Sequence, residues 1–173
     1  LSTAPHSNAP LPPTHTQAVA FLAASPEFRR GAESVFAASI AESLLPHCRA
    51  THSVSRGATL ATALSLLSDH SVSALPVVDE NGVVGEVISS RDIRQLAALG
   101  ATNDLSGTVE QSLRLLPPAP PRLNACAPTD TLASAISRLA SADTLQLVCV
   151  DERGGVHGVI TASTVLACLL PDN

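Results

Sequence analysis

Tryptophan, tyrosine and methionine are absent from this 173-residue sequence, and three phenylalanines bring the aromatic content to only 2%. A surface that stacks bases on aromatic rings is therefore hard to build. Positive charge is scarce as well: ten Lys+Arg stand against fifteen Asp+Glu, for a net charge of -5. That balance lacks the basic footprint of a nucleic-acid binder and leaves a small ligand or a protein as the expected partner. The longest apolar run, Ala18 to Ala24, falls far short of the roughly 20 residues a spanning helix needs, so no membrane contact is expected. No CxxC spacing links Cys48, Cys126, Cys149 and Cys168. Cys149 in LVCV and Cys168 in LACL read as small buried hydrophobes of a reducing compartment, which points to the cytoplasm or nucleus. The start, Leu1-Ser2-Thr3-Ala4-Pro5, has no basic stretch leading into an apolar one, so no signal peptide is expected. Without an initiator methionine, the chain is expected to be a fragment or a processed product.

Catalytic constellations are lacking too. Ser68-Asp69-His70-Ser71 carries the letters of a hydrolase triad, but triad members converge from separate elements, and adjacent residues cannot orient one another that way. His47-Cys48 and His52 have no fourth metal ligand at suitable spacing. His157, on a strand, reads as a surface residue, and Asp79-Glu80 and Asp151-Glu152 fall in turns where they are expected to be solvated. No Walker loop or dinucleotide glycine fingerprint occurs. The expectation is a protein with no catalytic residue, no metal and no resident cofactor.

What the chain does have is apolar mass, 45% of residues, and an internal duplication. Leu60 and Leu132, Asp79 and Asp151, Ser89 and Thr161 are each separated by 72 positions, with no gap between the copies. Each copy follows the same grammar. Leu60, Ala63, Leu64 and Leu67, and again Leu132, Ala135, Ile136 and Leu139, recur at helical spacing and give one apolar face. Thr59 is a candidate cap for the first helix, and Thr129, Asp130 or Thr131 for the second. Short apolar strands follow at Ala74 to Val78 and Leu145 to Val150. The turns contain Asn81-Gly82 and Gly154-Gly155, which supply the positive φ of a tight hairpin. Second strands run Val83 to Ile88 and Val156 to Ile160, and second helices open at Ser89 or Ser90 and at Thr161 or Ser163.

The expected fold is therefore α/β: two helix-strand-strand-helix repeats that bury their apolar sheet faces against each other as one pseudo-twofold module, with a cleft between the sheets. Residues 1–13 read as an extended or disordered tail, 14–46 as a helical flank, 47–107 as the first repeat, 108–121 as a linker and 122–173 as the second repeat. In the flank, Phe21, Leu22, Phe28, Val35, Phe36, Ile40, Leu44 and Leu45 are the expected apolar anchors, interrupted by Pro26 and Gly31. Pro117-Pro118-Ala119-Pro120-Pro121 reads as a stiff polyproline spacer.

SVSALPVVDENGVV followed by SSRDI resembles a CBS motif. It is similar to the third such motif of AMP-activated protein kinase gamma subunits and of the homologous sucrose-non-fermenting kinase subunits. RDIRQLAALGATNDLSGTVEQSLRLL resembles the gamma inter-motif helix, LVCVDERGGVHGVI the fourth motif, and THTQAVAFLAASPEF the end of the second motif and its connector. The resemblance covers about residues 14 to 171. It implies a tandem CBS (Bateman) module, a non-catalytic regulatory part of a kinase complex. Such a module senses AMP, ADP or ATP as a regulatory ligand between the repeats, with kinase catalytic and scaffold subunits as partners and self-association of CBS pairs as a further expectation. The alternatives are a CBS interaction scaffold that has lost nucleotide sensing, or the regulatory CBS pair of another enzyme or transporter.

Ser89-Ser90-Arg91-Asp92 opens a helix. Read on the residues alone, the Asp92 carboxylate either stabilises that helix start or accepts two hydrogen bonds from a vicinal diol. The resemblance makes Asp92 the adenosine ribose ligand and Ser89 its helper, places Val87 against adenine, and sets the backbone of Arg122-Leu123-Asn124 at the adenine edge. In the second repeat the same pattern falls on Thr161, Ser163 and Thr164, with hydroxyls but no carboxylate, and the His47–His52 segment is implied to line that second cleft. Basic residues that hold phosphate in the family fall on Ser71, Leu116, Leu145 and Gln146 here. Charge-assisted bonds of that kind contribute about 1.5–3 kcal/mol each. Arg91 and Arg122 are the candidates to replace them.

Overall fold

The computed structural model describes residues 14–25, 33–48, 51–117, 122–141 and 146–170. The expected tail 1–13, the interruption from Pro26 to Gly31 with Phe28, Leu145, and residues 118–121 of the proline spacer lie outside the described residues.

The flank folds as helix α1 (His15–Ala24), two short helices α2 (Glu33–Ala37) and α3 (Ile40–Ser43), and a 3-10 turn over Leu45–His47. The starts of α1 and α3 are capped reciprocally. Thr14 N–H donates to Gln17 Oε1 at 2.8 Å while Gln17 N–H donates to Thr14 Oγ1 at 3.3 Å, and Ser39 and Glu42 form the same box on α3.

The first repeat runs β1 (Val54–Ser55), α4 (Leu60–Asp69), β2 (Ala74–Val78), β3 (Val84–Ser89) and α5 (Ser90–Ala98). The linker carries a helix, α6 (Val109–Arg114). The second repeat runs β4 (Ala125–Cys126), α7 (Leu132–Ala140), β5 (Gln146–Val150), β6 (Val156–Thr161) and α8 (Ala162–Leu169). Thr59 caps α4, and of the three candidates Thr131 caps α7. Ser89 and Thr161 cap the second helices.

Each repeat makes one three-stranded sheet, β1-β2-β3 and β4-β5-β6, in which the first pair is parallel and the second antiparallel. The duplication extends to the register. Ala74 faces Ser89 and Gln146 faces Thr161, and the bulges fall between Val77 and Val78 and between Cys149 and Val150, again 72 apart. Asp79 and Asp151 do more than meet solvent in the turns. Asp79 Oδ1 accepts the N–H groups of Asn81 and Val83 at 2.8 and 2.9 Å, and Asp151 Oδ1 those of Arg153 and Gly155 at 2.8 and 2.7 Å. A short carboxylate is the side chain that can reach two amides of its own turn.

Alternation along the strands divides the apolar residues between two cores. Leu75, Val77 and Ile88 face Leu60, Ala63 and Leu67 of α4 and Leu96 of α5. Ala74, Val84 and Val87 face the other way, onto Val148 of the second sheet. Fully burying each Leu, Ile or Val contributes about 1.5–3 kcal/mol, so these faces drive both the repeat and its pairing. The hairpins also meet: Val84 N–H donates to Gly154 C=O at 3.0 Å.

The flank completes the second repeat. Val19, Phe36, Ile40 and Leu44 share a core with Leu132, Ile136, Leu139, Leu147 and Ile160. Ile40 N–H donates to Asp130 C=O at 2.7 Å and Leu132 N–H to Ala38 C=O at 3.0 Å. In the first repeat, α6 makes the matching pair, Val109 to Ala58 and Leu60 to Gly107, both at 2.9 Å. Two of the expected anchors are misassigned. Phe21 is 74% exposed because α1 is held through Val19 and two residues further on is the opposite side of a helix, and Val35 is 44% exposed because α2 puts its neighbour Phe36 into the core instead.

Candidate functional site

At the start of α5, Asp92 Oδ2 accepts the Ser89 N–H at 2.9 Å and the Ser89 hydroxyl at 2.5 Å, while Ser89 Oγ accepts the Asp92 N–H at 3.3 Å. The helix-start role of this carboxylate is thus realised, and its second oxygen is engaged as well. Arg122 Nη1 donates to Asp92 Oδ1 at 2.5 Å, with side-chain exposures of only 17% for Arg122 and 12% for Asp92. Sequence reasoning placed the Arg122 backbone beside a ligand; the structure sends its side chain onto the carboxylate. Val87 is 3% exposed, and Leu123 packs against the inter-sheet cluster that contains it. The Asn124 carbonyl accepts the Val148 N–H at 2.9 Å, which ties that segment to β5. Arg91 is exposed and stands outside the Ser89–Asp92–Arg122 network.

A cavity of about 460 Å³ opens on the other side of the pseudo-twofold axis. Thr51, His52, Val159, Thr161, Ser163 and Thr164 line it. These are the 72-residue counterparts of Leu123, Asn124, Val87, Ser89, Arg91 and Asp92, so the cavity is the image of the site predicted in the first repeat. Thr164 reproduces the cap without the charge: its Oγ1 accepts the Thr161 N–H at 3.2 Å and lies 3.2 Å from Thr161 Oγ1. Thr164 is 8% exposed, whereas Ser163 is exposed and lies 2.7 Å from His15 Nδ1. His52 and His47 line the cavity, and the His52 ring stacks on His70 with centroids 3.5 Å apart and planes 8° apart.

Sequence reasoning missed His15 and His70 here. The duplication marks His52 through Asn124, but the His15–Ser163 contact spans 148 positions and has no local signal. The positions compared with basic residues also resolve. Leu116 is buried in the first repeat's core, Ser71 lines the open cavity, and Gln146 begins β5 opposite Thr161.

Two of the four cysteines are held as thiols. Burial pushes the Cys48 thiol up to about 11 and raises that of Cys168, so neither is a thiolate at neutral pH. Among the described residues, no three His, Cys, Asp or Glu side chains gather as a metal site, and no helix is long and apolar enough to cross a membrane.

Two stretches, residues 48–98 and 121–171, match the CBS domain. The chain belongs to the CBS-domain family. Among curated relatives, the chain is 36% identical over 113 residues to the 5′-AMP-activated protein kinase subunit gamma-3 of Bos taurus. That alignment covers 65% of this chain and 23% of the bovine protein, so the chain spans less than a quarter of that relative's length. Among solved structures, the CBS pair resembles CBSX2 in complex with AMP, with a TM-score of 0.59 at 23% identity over 76% of this chain and 96% of that one. It also resembles the CBS domain pair of protein MJ0100 in complex with 5′-methylthioadenosine and S-adenosyl-L-methionine. There the TM-score is 0.57 at 17% identity, over 70% of this chain and 90% of that one. Both likenesses agree with the two sheets and helices described above.

Proposed function

We propose that this CBS pair is a non-catalytic regulatory module that senses an adenine nucleotide between its repeats, within a kinase regulatory subunit of the gamma type. One observation carries the reading: the buried Asp92 carboxylate, braced by Ser89 on the first turn of α5. A carboxylate so placed can accept hydrogen bonds from both hydroxyls of a ribose. A ligand held there touches residues of both repeats, Asp92 from one and the Arg122–Asn124 segment from the other. It therefore favours one arrangement of the repeats and of whatever surface they present to a partner. The likeness to CBS pairs solved with AMP and S-adenosyl-L-methionine supports an adenosine-bearing ligand, and the likeness to gamma-3 supports the kinase setting.

The test is calorimetry with AMP, ADP, ATP and adenosine on the wild type and on Asp92→Asn, each first shown to be folded by circular dichroism. Binding in the wild type that is lost in Asp92→Asn is the expected result. No heat from any of the four at millimolar ligand overturns the sensor reading.

Arg122 on Asp92, with uncharged Leu116, Ser71 and Gln146, favours a second reading: an interaction scaffold that keeps the gamma shape without sensing. On that reading the chain co-purifies with kinase catalytic and scaffold subunits equally well with and without nucleotide.

A further inference from the structure

We propose that Arg122 is a latch on the Asp92 site that admits ligands bringing an anionic group of their own, so that the site selects phosphorylated adenosines over adenosine itself. The inference rests on the adenine-nucleotide reading above and adds what that reading leaves open, the basis of selection.

A carboxylate offers about four acceptor directions. Three are taken at Asp92: two on Oδ2 by the Ser89 amide and hydroxyl, and one on Oδ1 by Arg122. A vicinal diol needs two. Ribose can therefore engage Asp92 only if the guanidinium moves off Oδ1. Arg122, whose side chain is 17% exposed where it sits on Asp92, loses its counter-charge when it is displaced. Removing one partner of a buried pair is strongly unfavourable, because the remaining charge has neither water nor a mate. A phosphate repairs that loss, since a guanidinium fork binds it through charge-assisted hydrogen bonds. A neutral nucleoside brings nothing to replace the carboxylate.

The twin cleft is the internal control. There Thr164 stands for Asp92 and Ala50 is the sequence counterpart of Arg122, so neither counterpart carries a charge of the latch.

The experiment is calorimetry of AMP and adenosine on the full 173-residue chain, as wild type, Arg122→Gln and Asp92→Asn, with folding verified by circular dichroism. The wild type is expected to prefer AMP by about tenfold to a hundredfold, the worth of one or two charge-assisted bonds. In Arg122→Gln, adenosine tightens, AMP weakens and the ratio falls toward one. If Arg122→Gln is folded and the ratio is unchanged while Asp92→Asn abolishes binding, the latch is wrong and the nucleotide reading survives. If neither ligand binds any variant, both fall. A wild type that binds neither, beside an Arg122→Gln that binds adenosine, overturns the selection, because the arginine then shuts out AMP as well. Should Arg122→Gln fail to fold, inorganic phosphate decides the matter on the wild type. Adenosine affinity that rises several-fold with phosphate supports the latch, and affinity indifferent to phosphate overturns it.

Discussion

The Asp92–Arg122 pair makes a quantitative claim about stability that needs no ligand. Asp92→Ala deletes the one acceptor found for the Arg122 guanidinium among the described residues and also the acceptor of the Ser89 N–H. With the arginine side chain 17% exposed, the orphaned charge is worth about 3–5 kcal/mol of destabilisation. Arg122→Ala leaves Asp92 holding both Ser89 bonds, so it costs less, about 2 kcal/mol. The double variant has no stranded charge. Its cost should fall short of the sum of the single costs by about 1–3 kcal/mol, the coupling expected of residues in direct contact. Equilibrium urea unfolding followed by far-ultraviolet circular dichroism gives these free energies by linear extrapolation. Tryptophan and tyrosine fluorescence are not options in a chain that has neither. Additivity within about 0.5 kcal/mol would refute the pairing, and with it the structural basis of the latch.

Thr164→Asp gives the second cleft the carboxylate that Asp92 supplies to the first, with Thr161 placed to brace it. AMP affinity at the open cavity should rise about tenfold by calorimetry, the worth of a charged acceptor over a neutral one, and no gain in a folded variant counts against the ribose role. Gly82 and Gly154 share a φ near 80°, but a Cβ on Gly82 meets nothing within 4 Å whereas one on Gly154 lies 2.8 Å from Val83 Cγ1. Gly82→Ala should cost about 1 kcal/mol and Gly154→Ala about 2 kcal/mol, and equal costs would deny the hairpin contact between repeats. The Val83 amide, with that of Asn81, holds the Asp79 carboxyl below its usual value, and the Gly155 amide does the same for Asp151. A depressed folded-state value means that this stabilisation is complete above about pH 4 and fades as pH falls through the folded value, so Asp79→Asn should remove its share of acid sensitivity. A carbon-detected titration that finds Asp79 at the ordinary value refutes the turn brace.

The repeats were legible because two independent periodicities agree. Helical spacing at Leu60, Ala63 and Leu67 names α4, alternation at Leu75 and Val77 names β2, and the ungapped offset of 72 repeats both. Caps were legible to within a residue or two, since two hydroxyls and a carboxylate stand together at Thr129–Thr131 and only the fold decides which one meets the orphan amides. The flank was legible as helical but not in its packing. Which repeat Ile40 and Leu44 serve depends on a chain crossing that no window of sequence contains. The site was legible as residue types, Ser89 with Asp92 and Thr161 with Thr164. The Arg122 contact was not, because a side chain 30 positions away can go to any acceptor within its reach, and only the pairing of the repeats brings Asp92 there.

That pairing gives two clefts of common design an unequal share of charge. Their walls match position by position, Val87 with Val159 and Ser89 with Thr161, so geometry alone would make them equivalent ligand sites. Charge separates them. In the first cleft a ligand would have to compete with the protein's own cation for a carboxylate, and its affinity would be the difference between two strong interactions. In the second, a ligand displaces solvent from about 460 Å³ bordered by hydroxyls and imidazoles, and its affinity is a sum of weak ones. A difference of strong terms responds sharply to the charge of the ligand, whereas a sum of weak terms responds mainly to its shape. Discrimination among phosphorylation states, if this CBS pair performs it, must therefore arise at Asp92 even though the open cavity lies on the other side.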